Sequence, residues 1–175
     1  MHRRGMLWRC LGLLGLSSAF ATALSGGTTP YRRPKTPIHL PLDKVAEPWR
    51  PLMFDALFSA PEPARRQPSD VLLKGVLLRV PRRTGPATEL KAFCLQCPHE
   101  LCFVNLAESA DLAFVAPDVE SDHPLVVCPC HFSVFDPVAD GARLSGPAQR
   151  GLYRFRLKVG QSQVEVLGIE EAAFK

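Results

Sequence analysis

Two short segments of this 175-residue chain concentrate side chains able to bind a metal. The first runs Cys94-Leu95-Gln96-Cys97-Pro98-His99-Glu100-Leu101-Cys102, the second Cys128-Pro129-Cys130-His131-Phe132-Ser133-Val134-Phe135. Five of the six cysteines fall in them. As ligand spacings they give Cys97-x-His99 and Cys128-x-x-His131, each accompanied by one further cysteine. Two thiolates and two imidazoles suit a tetrahedral zinc ion, or a [2Fe–2S] centre with two cysteines on one iron and two histidines on the other. The pairing separates these chemistries. Zinc modules usually draw two cysteines from one knuckle and two histidines from a helix. Here each segment offers one of each, so each loop can reach both irons of a dinuclear centre.

Both segments must be presented by strands. Val71–Val80 is apolar at nearly every position and reads as a strand buried on both faces. Pro81–Thr88 is a turn, and Leu90–Leu95 is a second strand running into the first segment. Asn105–Pro124 carries Glu108, Asp111, Asp118, Glu120 and Asp122 and reads as a solvated acidic loop. Leu125–Val127 is a short apolar strand that delivers the second segment. Leu152–Val159 alternates, with Tyr153, Phe155, Leu157 and Val159 inward and Arg154, Arg156 and Lys158 outward. A turn at Gly160-Gln161-Ser162 leads into Gln163–Leu167, which completes an antiparallel hairpin with one buried face. The folded unit is predicted to be all-β, from about residue 38 to the end.

The N-terminal part differs in kind. Residues 1–50 carry eight Lys/Arg against two Asp/Glu, and residues 51–175 thirteen against fifteen. The basic surplus thus belongs to the leading segment, which argues against a nucleic-acid footprint on the folded part. Arg3, Arg4 and Arg9 precede an uncharged run from Cys10 to Leu24. This is a targeting segment, and Arg3-Arg4 ahead of the apolar run resembles a twin-arginine export signal. Ala19-Phe20-Ala21 and Ala21-Thr22-Ala23 offer cleavage sites, so a removed signal is the alternative to a retained anchor. Seven of the seventeen prolines lie in Tyr31–Gln67, which reads as an extended linker with an amphipathic interruption at Trp49–Phe58.

The motifs Cys97-x-His99 and Cys128-Pro129-Cys130-His131-x-Ser133 together resemble those of the Rieske iron–sulfur proteins, and specifically the cytochrome bc1/b6f class. The resemblance spans about residues 71–170. It implies a Rieske-type antiparallel β-sandwich with a small cluster-binding subdomain, preceded by the N-terminal hydrophobic segment. It divides the chain into a leader or membrane anchor with hinge (1–30), a proline-rich linker (31–67) and a [2Fe–2S] domain (68–175). Cys97 and Cys128 would bind the buried iron, and His99 and His131 the outer one. Cys102 and Cys130 match the class's extra pair, which forms a disulfide tying the cluster loops. Ser145-Gly146-Pro147-Ala148 matches the proline loop that covers the cluster. The implied activity is that of the Rieske subunit of a quinol:cytochrome c oxidoreductase on the periplasmic side of a bacterial inner membrane. An electron would pass from quinol, at a cytochrome b subunit, to a c-type cytochrome, with His131 meeting the quinol and taking its proton. Alternatives are the Rieske subunit of an exported molybdenum oxidase of the arsenite oxidase type, or an exported zinc module.

Some residues depart from the family pattern. Phe132 stands where glycine is usual, so that turn is expected to avoid backbone conformations that glycine alone reaches readily. Ser133 retains the serine that donates to a bridging sulfide, whereas Phe135 replaces the tyrosine that donates to a ligand thiolate. One lost hydrogen bond predicts a potential in the lower part of the class range, matched to menaquinol. Twenty-eight residues separate His99 from Cys128, a longer insertion than is typical of the family. Cys94 is read as a small core residue, and His39 and His123 as solvated.

Overall fold

The computed structural model describes residues 29–60 and 70–174. The arginine-led apolar segment lies outside the described residues. Among the described residues no helix is long and apolar enough to cross a membrane.

Among the described residues, eleven strands form two antiparallel sheets. The larger contains β1 (Tyr31–Arg32), β2 (Ile38–Pro41), β3 (Leu52–Ser59), β4 (Asp70–Pro81), β5 (Thr88–Cys94), β10 (Arg154–Val159) and β11 (Gln163–Glu170). Its order is β1-β11-β10-β5-β4-β3, with β2 also pairing β11. The smaller sheet, in the order β6-β7-β8-β9, contains β6 (Asn105–Ala107), β7 (Leu125–Val127), β8 (Val134–Asp136) and β9 (Ala142–Ser145). It is inserted between β5 and β10, and both cysteine segments belong to this insertion or its entrance.

The continuous apolar run in β4 has a direct cause. Leu73 and Leu77 enter one hydrophobic core, while Val76, Leu78 and Val80 enter another on the opposite face. On β5, Ala92 and Cys94 face the first core and Phe93 the second, which Leu95 just beyond the strand also enters. A strand walled by cores on both faces has no solvated position to alternate with. The first core lies inside the larger sheet, which curls so that its edges approach. Phe54 of β3 meets Phe155 of β10 edge to face, with centroids 4.9 Å apart. The Lys35 amide donates to the Leu57 carbonyl at 2.8 Å, joining the β1–β2 connection to the opposite edge. The second core joins the two sheets and contains Cys97, Cys128 and Phe135.

Several readings change. The stretch read as a proline-rich linker supplies β1, β2 and β3 to the larger sheet. Its prolines punctuate these strands: Pro41 ends β2, and Pro48 and Pro51 precede β3. The acidic loop contains β6 and a short helix, α1 (Ser109–Val115). Val159 is 57% exposed, at the end of β10 beyond a bulge between Arg156 and Leu157. Arg154 is partly exposed but not free in solvent. Its Nε donates at 2.7 Å to Glu170, a buried carboxylate that also pairs with Arg150. Two guanidinium partners make a buried carboxylate tolerable there.

His123 is not solvated either. It stacks on Trp49 with centroids 5.5 Å apart, and its ring nitrogens lie 2.7 Å from Asp122 and 3.0 Å from Asp136. Burial opposes its charge, but the two aspartates outweigh burial and raise its pKa. A raised folded-state value gives stability that is full below the unfolded value of about 6.5 and is lost as pH rises through the folded value. Because solvent screens these partly exposed charges, the contribution is modest. The unfolding midpoint should fall with pH above about 6.5, and His123→Gln should flatten that slope. Denaturant titrations of both proteins across that range test this, because the other histidines are common to both. Parallel slopes would remove His123 as the cause.

Candidate metal centre

The two cysteine segments fold into loops of one design. In the first, the Cys97 amide donates to the Cys102 carbonyl at 2.8 Å and the Leu101 amide to the Cys97 carbonyl at 3.0 Å. In the second, the Cys128 amide donates to the Ser133 carbonyl and the Phe132 amide to the Cys128 carbonyl, both at 2.9 Å. Each loop begins Cys-Pro, and its fifth residue is left-handed, with φ of 60° at Leu101 and 55° at Phe132. Proline's fixed φ opens a single helical turn, the bond to the fifth amide closes it, and the left-handed residue reverses the chain. The expectation that Phe132 avoids glycine-like backbone is therefore wrong. The left-handed region is open to L-residues at about 1–2 kcal/mol. Both side chains point to solvent, Leu101 at 57% and Phe132 at 53% exposure.

The two loops are tied across. Cys102 and Cys130 form a disulfide with their Cα atoms 6.5 Å apart. An isolated bridge between Gln96 and Phe103 holds the base of the first loop, while β7 and β8 flank the second. The loop Ser145–Ala148 lies over the second. There the Ala148 amide donates to the Ser133 hydroxyl oxygen at 3.1 Å.

The four proposed ligands sort by type. The Cys97 and Cys128 thiols are buried and face each other. Burial and the facing thiol push Cys97 up, opposed by the backbone N–H groups of His99 and Glu100, which point at its sulfur. The two imidazoles lie at the outer end, edge to face with centroids 4.8 Å apart, His99 half-buried and His131 exposed. Nε2 of His131 is 3.9 Å from the Glu100 carboxylate, a neighbour the sequence reading did not single out. Cys94 stands apart in the larger sheet's core, where burial pushes its thiol up to about 11.

This arrangement fits a two-iron centre better than a single zinc ion. Tetrahedral zinc gathers all four donor atoms within about 4 Å of one another. Here the histidine donors gather with Glu100, all within 4.8 Å, and not with the thiols. Ser133 adds a second indication. It is fully buried, and its oxygen accepts from Ala148, leaving a hydroxyl proton with no acceptor among the described hydrogen bonds. That proton is available to a sulfide. Phe135, also fully buried, packs in the same core as both thiols and has no proton to offer them.

Antiparallel sheets carrying two Cys/His loops, with thiols inward and imidazoles outward, define a class of iron–sulfur protein. A family model for the Rieske [2Fe-2S] domain matches residues 57–158, and the chain belongs to that family. It is a Rieske-type electron-transfer protein, and its cofactor is a [2Fe–2S] cluster. Among solved structures it is similar to the soluble domain of the Rieske protein II (soxF) from Sulfolobus acidocaldarius, with 18% identity. That alignment covers 65% of this chain and 68% of the other, with a TM-score of 0.39. It is also similar to the plasma membrane Rieske protein PetC3 of the cyanobacterium Synechocystis PCC 6803, with 23% identity. There the coverage is 63% and 84%, and the TM-score 0.37. No curated protein matches the chain.

Proposed function

We propose that this chain is the Rieske subunit of a membrane quinol:cytochrome c oxidoreductase. In this reading Cys97 and Cys128 hold the inner iron, and His99 and His131 the outer iron. The observation that carries the assignment is the sorting of thiols inward and imidazoles outward, with each loop contributing one of each. The disulfide between Cys102 and Cys130 supports the bc1/b6f class, because the family resemblance implies that pair there. When bound, the cluster supplies a one-electron acceptor and donor. The chain does the rest. His131 presents an exposed ring beside Glu100, where Nε2 can take a proton from a quinol hydroxyl and later release it. The apolar core that buries both thiols keeps water from the inner side. We place the domain on the periplasmic face, tethered by the arginine-led apolar segment, with a cytochrome b subunit and a c-type cytochrome as partners.

Low-temperature EPR of the dithionite-reduced protein, with a redox titration, tests the assignment. A Rieske signal and co-purifying b-type haem are expected. Molybdopterin in place of haem would indicate an exported molybdenum oxidase, and a colourless protein binding one zinc would overturn the cluster. The same titration tests tuning at the site. Hydrogen bonds to cluster sulfur favour the reduced, more negative state. A differential of about 1 kcal/mol per bond corresponds to about 40 mV for one electron. Ser133→Ala should lower the midpoint by tens of millivolts, and Phe135→Tyr should raise it by a similar amount. A midpoint unmoved in Phe135→Tyr but shifted in Ser133→Ala would mean that the ring does not face the thiolate.

A further inference from the structure

Away from the metal centre, the larger sheet carries a hollow at the place where β11 changes partners. β1 pairs with β11 at Ile169 and Glu170, and β2 pairs with it from Gln163 to Val166. Residues 33–37 connect the two short strands across the interval. A hollow of about 780 Å³ opens there, with Tyr31, Arg33 and Lys35 on one side of β11 and Arg156 of β10 on the other.

The register brings the two arginines to one spot. Arg156 pairs with Gly168, and Arg32, just before Arg33, pairs with Ile169. Both therefore flank the one position of β11 that has no side chain. A Cβ at Gly168 would lie 2.6 Å from the Arg32 carbonyl oxygen, so glycine is what lets β1 carry Arg33 this close. The bulge after Arg156 is a device by which strands re-aim a side chain. The other charges here are matched. Lys35 donates to both oxygens of Asp70 at 2.8 Å, and Glu165, on the lining, stands 4.0 Å from Lys158. Arg33 and Arg156 are exposed and enter none of the described ion pairs.

We propose that this hollow binds a phosphate group between Arg33 and Arg156, with the Tyr31 hydroxyl as a further donor. Guanidiniums from two separate segments call for an anion with acceptors on more than one side. A phosphate offers these, whereas a carboxylate is filled by a single bidentate arginine. A lipid headgroup and a soluble phosphate ester present the same chemistry. Chain length favours the lipid, on the reading above that the apolar segment tethers the domain. Thr29 lines the hollow, and the five steps from Leu24, where the apolar run ends, to Thr29 span at most about 18 Å. Anionic headgroups lie within that reach and are attracted by basic residues.

The test uses the full chain in neutral detergent micelles, with its cluster oxidised, and reads line broadening by phosphorus NMR. Inorganic phosphate is titrated at constant ionic strength. Micelles holding equal phosphatidylglycerol and phosphatidylcholine form the second arm. Phosphate should broaden on binding, and phosphatidylglycerol should broaden more than phosphatidylcholine in the same micelle. Arg33→Gln with Arg156→Gln should raise the half-saturating phosphate concentration at least about tenfold and abolish the difference between the lipids. Tyr31→Phe should raise that concentration several-fold. Arg82→Gln with Arg83→Gln removes the same charge from the exposed β4–β5 turn and should bind like the parent. A parent chain that broadens neither phosphate nor lipid would overturn the proposal. So would equal losses in the two arginine pairs, the mark of unspecific attraction. Arginine-dependent phosphate binding without preference between the lipids would keep the pocket and assign it a soluble ester. Phosphate binding is read whether or not the chain gives a Rieske EPR signal, so this site and the electron-transfer role fail separately.

Discussion

Gly146→Ala should loosen the cluster site more than any other single methyl group added to the chain. Gly146 sits at φ +87° against the second cysteine loop. A Cβ there would lie 2.4 Å from Ser133 Cα, 2.7 Å from Ser133 N and 2.8 Å from the Phe132 carbonyl oxygen. All three are backbone atoms of the loop that bears His131, so no side chain can swing aside to relieve the overlap. Either that loop or the covering loop must move, and the bond from the Ala148 amide to Ser133 goes with it. Overpacking against fixed backbone, plus an alanine at positive φ, costs about 2–4 kcal/mol together. For a chain of this size that lowers the Tm by roughly 10 °C. The reduced protein should also lose its EPR signal on mild warming. Gly85 supplies the control, since it has φ +80° in the β4–β5 turn and nothing within 4 Å of an added Cβ. Gly85→Ala should cost only about 1 kcal/mol and leave the cluster signal unaffected. If the two variants behave alike, contact between the loops is not what fixes the site.

Cys102→Ala should shorten the life of the cluster by a comparable margin for a different reason. The bridge to Cys130 closes a sequence separation of 28 residues. Loop-closure entropy for that length is worth about 3–4 kcal/mol. Beyond the bridge, the bases of the loops meet in the core that holds Cys97 and Cys128, while their outer ends, with His99 and His131, are partly solvated. Loss of the bridge should accelerate decay of the EPR signal at 37 °C at least tenfold, and dithiothreitol should do the same to the parent protein. A parent-like cluster lifetime in Cys102→Ala would mean that the strands alone hold the loops.

The candidate ligands were legible because their chemistry is carried by residue type and short spacing. The order pairs Cys97 with His99 and Cys128 with His131, whereas the fold sets thiol against thiol and imidazole against imidazole across the two loops. Strands β4 and β7 were legible because both are apolar at most positions. β2 and β3 were hidden by proline, which marks strand ends as readily as linkers. Helix α1 has seven residues, an N-cap without a side-chain hydrogen bond and few buried side chains, too little pattern to separate it from an acidic loop. His123 pairs with Asp136, thirteen residues away, and stacks on Trp49 from the stretch read as linker. Contacts of that kind depend on how the chain folds back and leave no local signature.

The shared bonding of the two cysteine loops has a consequence for design. Each six-residue unit, Cys97–Cys102 and Cys128–Ser133, closes its turn through backbone bonds between its own members. Its shape is thus encoded within it, by proline in second place and a tolerated reversal in fifth. The surrounding strands set the distance and angle between two such units, and the disulfide and the covering loop hold them there. A redox centre of this type is then a pair of transplantable words, and a scaffold that reproduces that separation, the bridge and the cover supplies the sentence.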